Sequence, residues 1–119
     1  MAFDIDMEWS LEPPGLVARF TPDERHQGPH KNVHGGVAAF VLDETMAALG
    51  QTLDKVHLVT GTLNLKYRKP IPIDGRVVRV EAWRDGDARR AMKVFGRIVT
   101  ADDVVAVEAN GLFIRVDGV

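Results

Sequence analysis

A carboxylate lies in the middle of the most apolar stretch of this sequence. The stretch, residues 37–50, consists mainly of Ala, Val, Leu, Met and Phe, and Asp43 and Glu44 interrupt it. Because burying an unpaired charge is costly, a carboxylate there must be paired, hydrogen-bonded or held in a cleft. Groups of this kind cluster at functional sites. Asp43 is therefore a candidate functional residue, although the acidic pair could also form the solvated edge of a partly exposed helix.

Two glycines before this stretch add a second chemical element. The apolar run predicts a buried helix that begins after His34, Gly35 and Gly36 and ends near residues 50–53. The first N–H groups of a helix lack partners within the helix, and glycines let a ligand approach them closely. Such an N–H can polarise a carbonyl oxygen. Glycines before a helix are also common in ordinary turns.

Three histidines near the helix start raise the question of a metal site. His26, His30 and His34 are spaced as on one face of a helix. The Gly-Pro pair at 28–29 interrupts any helix that would align them, so we predict no metal site. We expect His26 and His30 in a solvated loop over residues 23–33, and His34 to fix that loop beside the helix.

The elements that would position these groups are mostly strands. Alternating apolar and polar residues predict five of them: Gly15–Phe20, His57–Tyr67, Arg76–Arg84, Arg90–Thr100 and Val104–Val116. In the strand His57–Tyr67, we expect Val59 and Tyr67 on one face and Thr60 on the other. One helix after a first strand, then four strands joined by tight turns, predicts an α+β fold in which an antiparallel sheet curls around a central helix.

Length and composition set further bounds. A chain of 119 residues suits one domain, which we place at residues 1–119, and the net charge of −2 offers no general attraction for nucleic acid or anionic lipid. The absence of cysteine excludes disulfides, thiolate metal ligands and a cysteine nucleophile. The apolar run is too short to span a bilayer, and the first residues lack the pattern of a secretory signal. A cytoplasmic location is expected.

Two segments resemble a known family. His34-Gly35-Gly36, followed six residues later by Asp43, is similar to the helix signature of hotdog-fold acyl-CoA thioesterases of the phenylacetyl-CoA thioesterase (PaaI-like) type. The segment VTGTLNLKYRKP at 59–70 resembles the second strand of that family, which ends in proline. The resemblance covers roughly residues 15–116. It implies one hotdog domain, a sheet of five to six strands around one long helix, and a homodimer or homotetramer with sites shared between subunits.

The resemblance also implies roles for individual residues. The N–H of Gly35 would take the carbonyl oxygen of an acyl-CoA thioester, and Asp43 of the partner subunit would attack it or activate water, without metal or organic cofactor. Thr60 would help to place the water, unless it is an ordinary strand residue. A loop amide recurs as a helper, for which Gln27 and Asn32 are rivals. Helical geometry alone does not choose between Asp43 and its neighbour Glu44.

Basic residues form two groups that could bind the phosphates of coenzyme A. One comprises Lys66, Arg68 and Lys69, and the other Arg89, Arg90 and Lys93. Either group could instead be a solvated strand end. No strip of basic and aromatic residues predicts nucleic-acid binding.

Two other functions stay open beside thioester hydrolysis. A dehydratase or hydratase of the same fold would use a histidine base and an acidic partner, for which His30 and Glu44 have a suggestive spacing, although the Pro-Gly-Val-Leu segment of such enzymes is missing. A non-catalytic protein that binds acyl thioesters is the third possibility. The acyl group, and whether coenzyme A or a carrier protein bears it, do not follow from composition.

Overall fold

The architecture is one long helix packed on a six-stranded antiparallel sheet. The computed structural model describes residues 5–86 and 90–116. In these residues the elements are β1 (Glu8–Glu12), β2 (Gly15–Phe20), α1 (Gly35–Asp54), β3 (His57–Tyr67), β4 (Val78–Arg84), β5 (Ala91–Val99) and β6 (Val105–Val116), with short 3-10 turns at Glu24–His26 and Pro29–Lys31. The strand order is β1-β2-β4-β5-β6-β3. The predicted α+β fold is confirmed.

Helix α1 buries one face rather than all of its surface. Its buried residues form adjacent pairs that recur every four positions: Val37 and Ala38, Val41 and Leu42, Thr45 and Met46, Leu49 and Gly50. Its other face is exposed at several positions, Glu44 among them. The prediction of burial on all sides was wrong, because the face that carries the charged Glu44 is exposed and the neighbouring Ala47 and Ala48 are only partly buried.

A glycine on β5 sets the depth at which the helix lies. A Cβ atom at Gly96 would stand 2.9 Å from the Met46 sulfur and 3.1 Å from a Leu42 methyl carbon. These helix residues lie on either side of Asp43, so the turn that carries the carboxylate packs directly on β5 at Gly96. A larger residue at 96 would force the Met46 and Leu42 side chains to move.

Strand β1 was not predicted from the sequence. It pairs with β2 in an antiparallel hairpin whose turn contains Pro13 and Pro14. Prolines exclude a central strand, but they are compatible with a turn beside an edge strand. On this hairpin the Arg19 guanidinium donates to both oxygens of Glu12, at 2.8 and 2.9 Å.

Strand β3 changes face partway along its length. It forms the other edge of the sheet, and its register with β6 shifts between Thr60 and Thr62. Thr60 and Tyr67 therefore both face the helix, although they are an odd number of positions apart in the sequence, and Val59 is exposed. The predicted assignment of Val59 and Tyr67 to one face was wrong because a strict two-residue period does not anticipate a bulge.

Candidate active site

His34 caps the start of α1. Its side-chain Nδ1 accepts a hydrogen bond from the Gly36 N–H at 2.9 Å, and its carbonyl accepts from the N–H groups of Val37 and Ala38 at 3.0 and 3.1 Å. Its own N–H donates to the His26 carbonyl at 2.7 Å. His34 therefore fixes both the first helical turn and the loop before it.

The N–H of Gly35 is left available by this arrangement. The Gly36 N–H donates to the His34 ring, whereas no acceptor among the described residues is bonded to the Gly35 N–H. Gly35 is exposed, and its carbonyl accepts a hydrogen bond from the Tyr67 hydroxyl at 2.7 Å. An exposed, partner-free N–H at a helix start is the geometry needed to polarise a carbonyl oxygen.

The loop before the helix is more ordered than its composition indicates. His26 is only 3% exposed, its Nδ1 accepts from the Asp23 N–H at 3.0 Å, and its ring meets Phe20 edge-on. The prediction of a solvated loop was wrong for His26, because the Asp23–His26 capping box folds the ring inward. His30 is exposed, as predicted, and its backbone is left-handed, with φ of 58°.

Asp43 lies on the third turn of α1 and contacts β3. It is half-buried, and its Oδ1 accepts a hydrogen bond from the Thr60 hydroxyl at 2.6 Å. Glu44, in contrast, is exposed. The Thr60 bond fixes the orientation of the carboxylate and leaves Oδ2 for another donor. Thr60 is thus more than an ordinary strand residue, since it contacts the acidic group directly.

A pocket of about 400 Å³ opens beside the helix start. We call it the helix-start pocket. It is lined by residues of the loop, of the first helical turn and of the end of β3, among them His30, Asn32, Gly35, Ala38, Tyr67, Arg68 and Lys69. Asp43 and Thr60 are not part of its lining. The pocket therefore gives access to the Gly35 end of the helix alone.

The two candidate loop amides occupy different positions. Asn32 is half-buried and lines the helix-start pocket. Gln27 is exposed, is not part of that lining, and pairs through its backbone with Val33. Of the two rivals, Asn32 is the one in contact with the pocket.

The candidate basic residues are dispersed. Arg68 and Lys69 line the helix-start pocket, and Arg68 also pairs with Glu108, with Nε 2.5 Å from a carboxylate oxygen. Lys66 lines a different pocket, of about 540 Å³, together with Trp83 and Phe95. Arg90 is exposed, and Arg89 lies outside the described residues.

Distance separates the two reactive elements within one chain. Gly35 and Asp43 are eight residues apart on the same helix, which corresponds to about 12 Å along the axis. Donors and bases act over about 3 Å. One subunit cannot bring both groups to the same carbonyl.

The described residues form neither a metal-binding cluster nor a membrane-spanning helix. Among the described residues, no three His, Asp or Glu side chains gather as a metal ion would require. Within residues 5–86 and 90–116, no helix combines the length and hydrophobicity needed to cross a membrane.

Tyr67 is the contact that the sequence reasoning missed. The available signal was the phenol itself, since a tyrosine hydroxyl beside a packed surface usually finds a hydrogen-bond partner. The strand period alone gave no indication that this partner is the helix start.

Comparison with known proteins identifies the family. A sequence model of the thioesterase superfamily matches residues 30–107. Rat acyl-coenzyme A thioesterase THEM4 is 27% identical over an alignment of 119 positions, which covers 98% of this chain and 50% of that protein. The chain thus spans about half the length of this curated relative.

Solved structures agree on the fold. The BH2602 protein of Bacillus halodurans, crystallised with CoA, is 24% identical with a TM-score of 0.79, over 94% of this chain and 75% of that one. The E. coli PaaI protein is 16% identical with a TM-score of 0.80, over 98% and 82% of the two chains. The predicted hotdog resemblance is confirmed. Since the superfamily model covers well over half of the sequence, this chain belongs to the thioesterase superfamily.

Proposed function

We propose that this protein hydrolyses acyl-CoA thioesters to the free acid and CoA, in sites shared between two subunits. The observation that carries the proposal is the hydrogen bond from Thr60 to Asp43, which presents an oriented carboxylate on the helix of a thioesterase-superfamily fold. Support also comes from the BH2602 relative, whose crystals contain CoA.

The N–H of Gly35 is assigned to the thioester oxygen. During attack the carbonyl oxygen gains negative charge, and a fixed N–H donor at a helix start stabilises that charge more than it stabilises the neutral substrate. The helix dipole acts in the same direction. Since Gly35 has no side chain and is exposed, an acyl thioester has access to this N–H.

Asp43 is assigned to the attack, by one of two routes. As a general base, its free Oδ2 takes a proton from water while the water oxygen adds to the thioester carbon. As a nucleophile, it forms an acyl anhydride that water then hydrolyses. In both routes the carbon–sulfur bond breaks, the thiolate of CoA leaves, and one water is consumed. Thr60 holds Oδ1 in either case.

A homodimer would bring the two elements together. The roughly 12 Å between Gly35 and Asp43 within one helix requires that the second group come from another chain. Strand β3 forms one edge of the sheet and carries Thr60 close to Asp43. An edge strand exposes unpaired backbone groups and is a template for pairing with a second copy. Each site would then combine Gly35 of one subunit with Asp43 and Thr60 of its partner.

The test is release of free thiol from a panel of short-chain, long-chain and aromatic acyl-CoAs. A hydrolase liberates thiol, whereas a dehydratase, a hydratase or a binding protein does not. Asp43→Asn should lower kcat by about 10²-fold or more, because it removes the charge and keeps the shape. Glu44→Gln is the matched control, since Glu44 is adjacent but exposed, and it should stay within about twofold of wild type.

The outcomes separate the alternatives. No thiol release from any member of the panel by the folded wild type would reject the hydrolase. Thiol release that survives in a folded Asp43→Asn protein would keep the hydrolase and reject the role of Asp43. The dehydratase alternative has less support, because His30 lines the helix-start pocket whereas Glu44 does not.

A further inference from the structure

Tyr67 is the aromatic side chain nearest to the helix start on strand β3. Its hydroxyl donates to the Gly35 carbonyl at 2.7 Å, and its ring carbons lie 3.7 Å from the point where a Gly35 Cβ would stand. We propose that Tyr67 is a positioning residue that fixes the Gly35 N–H as the oxyanion donor. This inference rests on the proposed hydrolase function.

The peptide unit between Gly35 and Gly36 is held at both ends. Its carbonyl oxygen accepts from the Tyr67 hydroxyl, and its N–H donates to the His34 ring at 2.9 Å. Two consecutive glycines would otherwise give the chain unusual backbone freedom at this point. The two contacts, from a strand and from the cap residue, together restrict rotation about the bonds on either side of the Gly35 Cα.

The Gly35 N–H belongs to the preceding peptide unit, whose orientation depends on the same Cα. The carbonyl of that unit, from His34, accepts from the helical N–H groups of Val37 and Ala38. With its carbonyl held by the helix and the next unit held by Tyr67, the Gly35 N–H has one direction available. Preorganised donors of this kind stabilise a transition state without the cost of ordering during the reaction.

Tyr67 is itself well anchored for this purpose. It stands at the end of β3, and the two following N–H groups, of Arg68 and Lys69, both donate to the Ala106 carbonyl at 2.7 and 3.0 Å. The register shift at Thr60 and Thr62 turns Tyr67 toward the helix. Its side chain is nonetheless 57% exposed, so loss of the hydroxyl removes little packing.

The variant Tyr67→Phe tests the inference, because it removes the hydroxyl and keeps the ring. Thr52→Val is the matched control: the Thr52 hydroxyl also donates to a carbonyl of α1, that of Ala48, at 2.8 Å, but at the far end of the helix. With the best acyl-CoA of the panel, Tyr67→Phe should lower kcat about five- to tenfold with KM within about twofold, since the contact acts mainly in the transition state. Thr52→Val should leave both constants unchanged.

A second measurement does not depend on turnover. In ¹⁵N-labelled protein, Tyr67→Phe should shift the Gly35 and Gly36 amide resonances and speed hydrogen exchange at Gly36, whereas Thr52→Val should not. Light scattering and thermal unfolding check that both variants keep the assembly and fold of wild type. If wild type releases no thiol, the proposed function fails, while the amide measurement still decides whether Tyr67 orders the helix start.

Several results would overturn the inference. These are an unchanged kcat in Tyr67→Phe, an effect on KM alone, which would make Tyr67 a wall of the binding pocket, and unchanged glycine amides. Failure of Tyr67→Phe to fold would also overturn it, because the hydroxyl would then be required by the fold and not by the orientation of one N–H.

Discussion

Mixing two inactive variants should restore activity if the sites are shared. The chosen lesions are Gly35→Val, which crowds the N–H donor, and Asp43→Asn, which removes the carboxylate. The three heavy atoms nearest to a Cβ at Gly35 would all belong to the Tyr67 side chain, at 3.6 to 3.7 Å, which are ordinary contacts. We therefore expect Gly35→Val to fold and to be inactive because its side chain blocks the substrate.

The helix geometry gives the distance between the two groups in one chain. A thioester carbonyl that is contacted on one side by an N–H and on the other by a carboxylate separates them by about 7 Å at most. The helical rise places the two residues of one chain about 12 Å apart along the axis, and the three bonds from the aspartate Cα to a carboxylate oxygen, which span about 4 Å at most, do not close that gap. If Gly35 and Asp43 have the proposed roles, each site takes its donor and its carboxylate from different chains.

The assay is thiol release after co-refolding of the two variants in equal amounts. Random pairing gives about half heterodimers, and in each heterodimer one site carries both lesions and the other carries none. Total activity should be about a quarter of wild type. The control mixture combines the double variant Gly35→Val/Asp43→Asn with wild type, and the shared-site arrangement again predicts about a quarter, from wild-type homodimers alone.

Sites contained within one chain predict different numbers for the same two mixtures. The single-variant mixture would then stay inactive, and the control mixture would retain about half of wild-type activity. Native mass spectrometry establishes that heterodimers form. No activity in the single-variant mixture, together with half of wild-type activity in the control mixture, would refute the shared site.

Three further predictions concern residues around the site. Thr60→Val should lower kcat about tenfold and Thr60→Ser should not, because serine keeps a hydroxyl that can donate to the charged Asp43. In an Asp43→Asn background, Thr60→Val should lower kcat little further, and a full additional loss would show that Thr60 does not act through Asp43. Neutralising Arg68 and Lys69 with glutamine should raise KM about five- to tenfold more than it lowers kcat, with the effect shrinking at high salt, if they bind coenzyme A phosphates; a loss confined to kcat would contradict this. Hydrogen bonds from Arg25 lower the pKa of Asp23 from 3.8 to about 2, so the contribution of Asp23 to stability is present above pH 3.8 and is lost as the pH falls toward 2. The urea midpoint of unfolding should therefore fall less over this pH window in Asp23→Asn than in wild type. An equal fall in both proteins would show that Asp23 does not cause the loss of stability in acid.

The helix and the inward faces of strands β4 and β5 could be predicted because their patterns are regular. Val78 and Val80 of β4, and Met92 and Val94 of β5, alternate with polar neighbours in the sequence, and all four are buried in the structure. Their strands have partners on both sides in the sheet, so a two-residue period is maintained along their length. The apolar helix was also placed correctly, although its exposed face was not.

The sequence-based predictions for β3 and His26 were wrong because a local contact overrides the alternation of polar and apolar residues at each place. The bulge at Gly61 depends on the approach of the Leu112 carbonyl, which a Cβ at 61 would meet at 2.9 Å. His26 is buried because Asp23, three residues earlier, caps the same short turn. Neither effect has a period, so neither could be recognised by alternation along the sequence.

The order of residues in His34-Gly35-Gly36 has a physical reason that the structure makes visible. A capping side chain bonds the second or third N–H of a helix, so a cap at 34 occupies Gly36 and leaves the first N–H, at Gly35, available. Aspartate would cap equally well, but in the proposed mechanism it would place a negative charge beside an oxygen that becomes negative during attack. An imidazole nitrogen that accepts a hydrogen bond carries no such charge. The same three residues thus cap the helix and keep the adjacent donor suited to an oxyanion.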